Sequence, residues 1–201
     1  MTVSALRQLS PDRVLVTLED GEEIRSSLGV VTDHRLYTGC ALDDKALDAF
    51  RSDSLRALAR DRALTLVSQR QYSAKELREK LLGKGVDADS ADYCVQWLAE
   101  HGFLDEARYA AAIVRHYAAK GYGPGRVRME LQRRGIPREL QDEALADAPE
   151  DTEKLDRFLA RKLTDPTDRD AVRKVTAALY RRGFSGEEIR SALLRLGSEE
   201  L

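Results

Sequence analysis

Histidine and cysteine, the side chains most often used for metal binding and nucleophilic catalysis, are scarce in this sequence and lie far apart. The histidines are His34, His101 and His116, and no two of them have the i,i+4 spacing of helical zinc ligands. Cys40 and Cys94 form no Cys-x-x-Cys pair, so we expect both to be reduced and packed in the interior. We therefore expect no metal site, no cofactor and no disulfide.

The motifs of common enzyme classes are also missing. The sequence contains no Gly-x-Ser-x-Gly, Gly-x-x-x-x-Gly-Lys-Ser/Thr or Gly-x-Gly-x-x-Gly, the patterns that position a nucleophile or cradle phosphates. The segment 121–125 (GYGPG) is rich in glycine, but no strand is predicted before it. We expect it to be a loop that begins a helix, and we predict that the protein is not an enzyme.

Two arginine-rich segments are the stronger indication of function. The first contains Arg126, Arg128, Arg133, Arg134 and Arg138, and the second contains Arg169, Arg173, Lys174, Arg181 and Arg182. On a helix, residues seven apart lie two turns apart on one face, so each segment could present a row of cations to phosphates or carboxylates. The alternative is a solvated helix face with basic residues at the helix C-terminal end. The sequence leaves both interpretations open.

Aromatic residues concentrate in the middle of the chain. They are Tyr93, Trp97, Phe103, Tyr109, Tyr117 and Tyr122. The helical spacing of Tyr93 with Trp97, and of Tyr109 with Tyr117, favours packing in or between helical repeats over base stacking. Tyr122 lies between glycines, and we expect it to be exposed.

The first 30 residues have the composition of a small β-sheet. The β-branched run 13–19 is followed by Asp20-Gly21, which favours a hairpin with a type I′ turn. A return strand over 22–28 fits, and 3–9 could supply a third strand. From Asp44 onward the apolar spacing becomes helical, and 44–69 predicts one interrupted helix or two.

The rest of the chain repeats itself. Leu81–Gly85–Val86, Leu131–Gly135–Ile136 and Leu179–Gly183–Phe184 share one pattern, with the glycines 50 and 48 residues apart. A glycine after a basic last turn predicts a helix C-cap in the left-handed region. Capping boxes at Ser73/Glu76 and Ser185/Glu188, and Pro124 in a first turn, mark helix starts.

These signals predict a mainly α-helical protein with three tandem three-helix repeats that form a curved array, preceded by a small N-terminal β-hairpin module. We place the module and a linker helix at residues 1–53 and the repeats at about 54–102, 103–148 and 150–197. Asp147-Ala148-Pro149 separates the last two repeats, and 164–168 is the best loop inside the third.

Charge and hydropathy limit the possible partners and locations. The formal net charge is −2 with a pI near 6.0, so any contact with nucleic acid must come from a local patch. No signal peptide or membrane-spanning run is recognisable. We expect a cytoplasmic protein that has no membrane contact and is a monomer.

Three segments resemble the RecX family of regulatory proteins. They are 68–81 (SQRQYSAKELREKL), 97–110 (WLAEHGFLDEARYA) and 121–127 (GYGPGRV) leading into 130–136 (ELQRRGI). The resemblance covers about residues 62–147 well, and the third repeat and the β-hairpin more loosely. Several motifs occur in order at the spacing typical of the family.

The resemblance implies a modular helical protein that binds the RecA filament on DNA and lowers its ATPase, strand-exchange and coprotease activities, with roles in homologous recombination, DNA repair and the SOS response. Several weak contacts to repeated filament subunits would combine by avidity. The candidate contacts are Tyr122, Arg126, Arg128, Arg133, Arg134, Arg173, Lys174, Arg181 and Arg182. The alternative is a DNA-binding adaptor whose helix–glycine–helix pairs act like helix-turn-helix units, with weak affinity for single- or double-stranded DNA.

Overall fold

A computed structural model describes residues 1–147, 152–163, 165 and 168–198 of the chain. Its contacts divide the chain into two units, Met1–Leu104 and Asp105–Leu201. The first unit contains β1 (Val3–Ser10), β2 (Arg13–Leu18), β3 (Glu23–Ser27), α1 (Leu28–Asp33), α2 (Asp44–Gln69), α3 (Ala74–Leu82) and α4 (Ala88–Glu100). The described part of the second unit contains α5 (Glu106–Ala119), α6 (Pro124–Arg133), α7 (Arg138–Ala146), α8 (Thr152–Lys162), α9 (Arg169–Arg181) and α10 (Gly186–Ser198).

The N-terminal strands form one antiparallel sheet in the order β1-β2-β3. This confirms the predicted hairpin and its third strand. The central strand β2 is apolar and buried, and it packs with α1 and the start of α2, where Phe50 is fully buried. A hairpin alone would be marginal in water, so the third strand and the covering helices supply the apolar contacts that stabilise it.

The turn between β2 and β3 differs from the predicted type I′ turn. Gly21 has φ +88, whereas Asp20 is not among the residues with positive φ. Gly21 N–H donates to Leu18 O, and Leu18 N–H donates to Glu22 O, which is the three-residue loop class ending in a left-handed glycine. The Asp20 carboxylate accepts the Glu22 N–H at 3.0 Å, so its side chain fixes the loop and the Asp20 backbone stays out of the left-handed region.

The expectation of an interrupted or double helix over 44–69 is wrong, because α2 is one continuous helix of 26 residues. The sequence of α2 contains no glycine or proline. The buried hydroxyl of Ser54, at the middle of α2, donates a hydrogen bond to Ser26 Oγ of the sheet at 2.8 Å. The N-terminal half of α2 therefore packs with the β-module, and its C-terminal half packs with α3 and α4.

Three three-helix repeats follow one another, as predicted. The C-terminal half of α2 packs with α3 and α4, α5 with α6 and α7, and α8 with α10, which also contacts α9. Each repeat has a separate cluster of buried apolar residues. The predicted separator at Ala148-Pro149 and most of the predicted loop at 164–168 lie outside the described residues.

The repeated glycines end helices in the predicted way. Gly85, Gly135 and Gly183 have φ between +76 and +89. In each case the residue after the glycine donates to the carbonyl of a leucine five positions earlier, and the glycine donates to the carbonyl three positions earlier. This is the Schellman motif, in which the residue after the glycine packs on that leucine. Leu81, Leu131 and Leu179 are fully buried.

Both predicted capping boxes are present. In the box at Ser73 the Glu76 N–H donates to the hydroxyl at 3.1 Å, and the carboxylate of Glu76 accepts the Ser73 N–H at 3.2 Å. In the second box the corresponding distances between Ser185 and Glu188 are 3.2 and 2.6 Å. Pro124 lies in the first turn of α6, as predicted.

Candidate partner-binding site

The side chains that could have carried chemistry form no cluster. Among the described residues, no group of three or more His, Cys, Asp or Glu could hold a metal ion. His34 lies 2.9 Å from an Asp53 carboxylate oxygen. Cys40 and Cys94 are buried free thiols, and burial raises the pKa of Cys94 to about 11. Such a thiol is a poor nucleophile at neutral pH.

The first arginine segment occupies α6 and the turn after it, where its cations have different environments. Arg126 is exposed and forms no ion pair with any residue that the structure describes. Arg128 is also exposed, but its guanidinium pairs with Asp142 on α7. Arg138 pairs more loosely with the same carboxylate at 3.8 Å. Among the described residues, Arg126 is therefore the cation of this segment that has no acidic partner.

A buried carboxylate holds the last two arginines of the first segment. Glu130 is only 7% exposed, and its oxygens lie 2.7 Å from Arg133 and 2.8 Å from Arg134. Arg134 also donates to the Tyr109 hydroxyl. Hydrogen bonds from Arg133 and then Arg134 lower the pKa of Glu130 to about 2. Arg134 is mostly buried in this network, whereas the side chain of Arg133 is 72% exposed.

The second arginine segment occupies α9 and its C-terminal turn. Lys174 and Arg181 are exposed and form no ion pair within the described ranges, and Arg173 lies 3.8 Å from Asp170. Arg182 is different, because its guanidinium donates to Gly121 O at 3.3 Å and lies 4.7 Å from the centre of the Phe158 ring. Arg182 therefore helps to hold the second unit together.

Three glycines bring the two arginine segments together inside the second unit. Gly123 N–H donates to Arg182 O, and Gly125 N–H donates to Gly183 O, both at 2.9 Å. A Cβ atom built at Gly183 would lie 2.2 Å from the Arg126 amide nitrogen. Two N–H groups at the start of α6 thus donate to two carbonyls just after α9, so the positive end of one helix dipole lies beside the negative end of the other.

This contact, which we call the glycine junction (Gly123, Gly125 and Gly183), gives the 121–125 segment a role that sequence reasoning missed. The segment was predicted to be a loop that begins a helix, and it is one. The additional signal was the density of glycines, because a Cβ at Gly123 would lie 2.6 Å from the Gly183 backbone. Arg126 is thereby brought beside the Arg181–Arg182 turn.

The expectation that Tyr122 is exposed is wrong, since it is half-buried. Gly121 has φ +75, and Tyr122 N–H donates to Tyr117 O. Tyr122 therefore follows a left-handed glycine in a Schellman motif, where an apolar side chain packs back on the helix. Its ring centre lies 5.6 Å from that of Tyr117.

The two aromatic pairs that were predicted to pack, Tyr109 with Tyr117 and Tyr93 with Trp97, differ in how deeply they are buried. Tyr109 is buried and Tyr117 is partly buried in the core of the second repeat, which confirms packing. Trp97 is partly buried against the first repeat's core and stacks on His101 at 4.0 Å. Tyr93 is 38% exposed under Arg56, whose guanidinium lies 4.9 Å from its ring centre.

One repeated ion pair was not found from the sequence. Arg78 and Asp92 lie seven residues before and after Gly85, and they form a bidentate pair with distances of 2.5 and 3.2 Å. Arg128 and Asp142 occupy the same positions about Gly135 and also pair. The third repeat has Thr176 and Arg190 there. Arg128, a predicted partner contact, thus has a structural counterpart in the first repeat.

Three family models match the helical part of the chain. They describe the first, second and third three-helix domains of RecX, and they match residues 59–98, 105–145 and 149–193. The β-module lies before all three matched ranges. No described helix is both long and apolar enough to span a membrane.

Curated relatives of the chain are proteins of the same family as these models. A "Regulatory protein RecX" of Xanthomonas citri is 42% identical over 134 residues, which are 65% of this chain and 83% of that protein. The protein of the same name from Stenotrophomonas maltophilia is 40% identical over 134 residues, 65% and 82% of the two chains.

The fold is also found in two crystal structures of proteins described as RecX. One has a TM-score of 0.77 at 24% identity and covers 94% of this chain and 97% of its own. The other, from Lactobacillus salivarius, has a TM-score of 0.64 at 22% identity and covers 71% of this chain and 97% of its own. At these identities the structures show the fold.

Proposed function

Because the chain belongs to the RecX family of regulatory proteins, we propose that it binds the RecA filament on DNA and inhibits the ATPase, strand-exchange and coprotease activities of the recombinase. It acts by binding, without catalysis or a cofactor, as a cytoplasmic monomer. The units that dock are the repeats at about 54–102, 103–148 and 150–197. Repeated docking units on a filament of repeated subunits combine weak contacts by avidity.

The observation that carries this proposal is the glycine junction, which places two separate arginine segments beside each other. Arg126 lies at the start of α6, and Arg181 at the end of α9, with Lys174 about two turns earlier on α9. All three are exposed and have no ion-pair partner among the described residues. We propose that these three cations form the primary contact with acidic groups of the filament.

The other predicted contacts take secondary places in the proposal. Arg133 keeps most of its side chain in solvent, and Arg173 is held only loosely by Asp170, so both can reach a partner. Arg128, Arg134 and Arg182 are engaged within the protein. We propose that these three support the surface and contact the partner less directly. Tyr122, which is half-buried beside Tyr117, contributes less than the exposed cations.

The test is inhibition of RecA ATPase on single-stranded DNA by a triple variant, Arg126→Glu/Lys174→Glu/Arg181→Glu. A matched control, Arg7→Glu/Arg25→Glu/Lys45→Glu, makes the same change in net charge at exposed cations of residues 1–53, outside the repeats that are proposed to dock. We expect the first variant to need at least about tenfold more protein for half-inhibition, because each charged contact contributes roughly a factor of ten. The control should inhibit like the parent protein. Equal loss in both variants would reject the assignment.

The second candidate function is a DNA-binding adaptor. The recurrence of helix, left-handed glycine turn and helix at α6–α7 and α9–α10 favours it, because helix-turn-helix units join two helices by a short turn. The net charge of −2 predicts weak affinity. Tight binding to bare DNA at physiological salt, without inhibition of the recombinase, would favour the adaptor over the filament regulator.

A further inference from the structure

The second unit contains a cleft to which neither the two arginine segments nor the family matches give a role. It has a volume of about 580 Å³ and lies between the end of α5, the helix α8 and the turn after α9. That volume is within the range of pockets that bury most of a ligand of drug size. The cleft shares only Arg182 with the residues predicted from the sequence as partner contacts.

The polar side chains of the cleft wall carry one sign of charge. Lys120, Arg157, Arg161 and Arg182 line it, and no acidic residue is among its described lining. Arg157 and Arg161 lie one turn apart on α8, and Lys120 follows the last turn of α5. Lys120 and Arg161 form no ion pair with any residue that the structure describes. The cleft therefore favours a ligand with several negative charges.

The floor of the cleft is apolar. Leu155 and Leu179 belong to the buried core of the third repeat, and Phe158 and Phe184 are half-buried beside them. A large apolar side chain placed here would be removed from water against four apolar residues. Burial of one such side chain is among the main favourable contributions to peptide recognition.

These features favour a peptide over nucleic acid as the occupant. The described lining contains no amide or hydroxyl side chain, the groups that read base edges. One face of Phe158 is already covered by the Arg182 guanidinium at 4.7 Å, so it does not offer a free platform for a base. Several cations around an apolar floor instead match carboxylates that flank an apolar anchor.

We propose that this cleft binds an acidic peptide segment of a partner protein, with one bulky apolar side chain in the floor and carboxylates on Lys120 and Arg161. This inference does not rest on the filament proposal. It concerns residues of α5 and α8 that the arginine rows do not include, and direct peptide binding can be measured without the recombinase.

The experiment measures fluorescence anisotropy of a labelled peptide, Asp-Glu-Asp-Phe-Glu-Asp-Glu, with the full-length protein. The test variant is Lys120→Glu/Arg161→Glu, and Arg161→Gln is a milder second variant. The matched control, Arg108→Glu/Arg115→Glu, makes the same charge change at exposed positions of α5 outside the cleft. Circular dichroism of each variant verifies folding.

We expect binding that weakens as salt rises, at least about tenfold weaker binding to the test variant, and nearly parental binding to the control. A peptide with Ser in place of Phe should also bind less tightly, because it leaves the floor unfilled. The proposal is overturned if the peptide fails to bind at millimolar concentration, or if test and control variants bind it equally. Displacement of the peptide by oligothymidylate that itself depends on Lys120 and Arg161 would identify the cleft as a nucleic-acid site instead.

Discussion

The glycine turns of the first and third repeats have the same local structure but different surroundings. Gly85 and Gly183 have φ +79 and +89, and each ends a helix in a Schellman motif. A Cβ atom at Gly85 would find nothing within 4 Å, whereas one at Gly183 would lie 2.2 Å from the Arg126 nitrogen. Gly85 is therefore required only for its backbone conformation, and Gly183 also for the close approach of α6.

The difference shows how a repeated motif acquires an additional role. In the first repeat the turn ends a helix and exposes its glycine to solvent. In the third repeat the carbonyls of the turn accept the free N–H groups of α6, and the ion pair that spans the turn in the first two repeats is replaced by Thr176 and Arg190. The turn of the third repeat thus packs against the start of α6, whereas the turns of the first two repeats are spanned by an ion pair within their own repeat.

The largest expected effect is that of Gly183→Ala. The left-handed backbone costs about 1 to 2 kcal/mol for a residue with a Cβ, and the contact with the Arg126 backbone adds an overpacking cost of about 1 to 3 kcal/mol. We expect a loss of about 2 to 5 kcal/mol in the stability of the glycine junction. Amide hydrogen exchange measures it, because the Gly123 and Gly125 amides, which donate to Arg182 O and Gly183 O, should lose protection.

Protection of those two amides in Gly183→Ala at the parental level would contradict the distinction between the two turns. Gly85→Ala is the control for this measurement, since the same substitution in the first unit should leave the exchange of Gly123 and Gly125 unchanged.

The second repeat has a buried ion-pair network near its glycine turn, and Glu130→Gln tests how much this network stabilises the protein. Five residues before the repeated glycine, the first repeat has Lys80, the second Glu130 and the third Ala178. Loss of the carboxylate leaves Arg134 partly buried without its ion pair, and we expect the free energy of unfolding to fall by about 2 to 3 kcal/mol at pH 7. Urea denaturation measures this, with Lys80→Gln as the control expected to change stability by less than about 0.5 kcal/mol.

The pH dependence of the same variant follows from the lowered pKa. The folded pKa of Glu130 is about 2 and the ordinary value is 4.5, so its contribution is present above pH 4.5 and is lost as the pH falls toward 2. The difference in stability between the parent protein and Glu130→Gln should therefore shrink across this window. A difference that stays constant between pH 7 and pH 2.5 would show that Glu130 is not held by its two arginines.

Gly85→Ala should have a smaller effect. Because nothing lies within 4 Å of its Cβ position, only the left-handed conformation is penalised, and we expect a loss of about 1 kcal/mol. Gly85→Asn should lose less, since asparagine tolerates this region better. Thermal unfolding of the two variants checks the order, and a loss as large as that of Gly183→Ala would remove the contrast between the repeats.

The smallest expected effects concern the ion pairs that brace the first two turns. Asp92→Asn and Asp142→Asn remove the partners of Arg78 and Arg128, whose side chains are 42% and 46% exposed. Exposed pairs contribute little to stability and are screened by salt. In urea denaturation, each variant should lose less stability than Gly85→Ala at low salt and almost none at about 1 M salt. If Arg128 binds the partner directly, Asp142→Asn should strengthen inhibition of the recombinase, whereas a purely structural Arg128 predicts no gain.

Local signals accounted for most of the correct sequence predictions. The helix ends at Gly85, Gly135 and Gly183 depend on residues within one turn of the glycine, and the capping boxes depend on residues three apart. The two errors have different causes. The continuity of α2 depends partly on a distant residue, because the buried hydroxyl of Ser54 at the centre of the helix donates to Ser26 of the sheet. The burial of Tyr122 has a local cause that was overlooked, because the preceding glycine turns this side chain back on Tyr117.

The sequence by itself determined the presence of three helical repeats, the glycine ends and capped starts of several helices, and the N-terminal sheet, because each is encoded by the spacing and backbone preferences of neighbouring residues. Only the tertiary structure decided which cations stay open. Arg182 is held by a carbonyl 61 residues away and Arg128 by a carboxylate 14 residues away, while Arg126 and Arg181 are left in solvent. Charge alone cannot distinguish these arginines, since the partner that neutralises or spares each one is set by how distant segments pack.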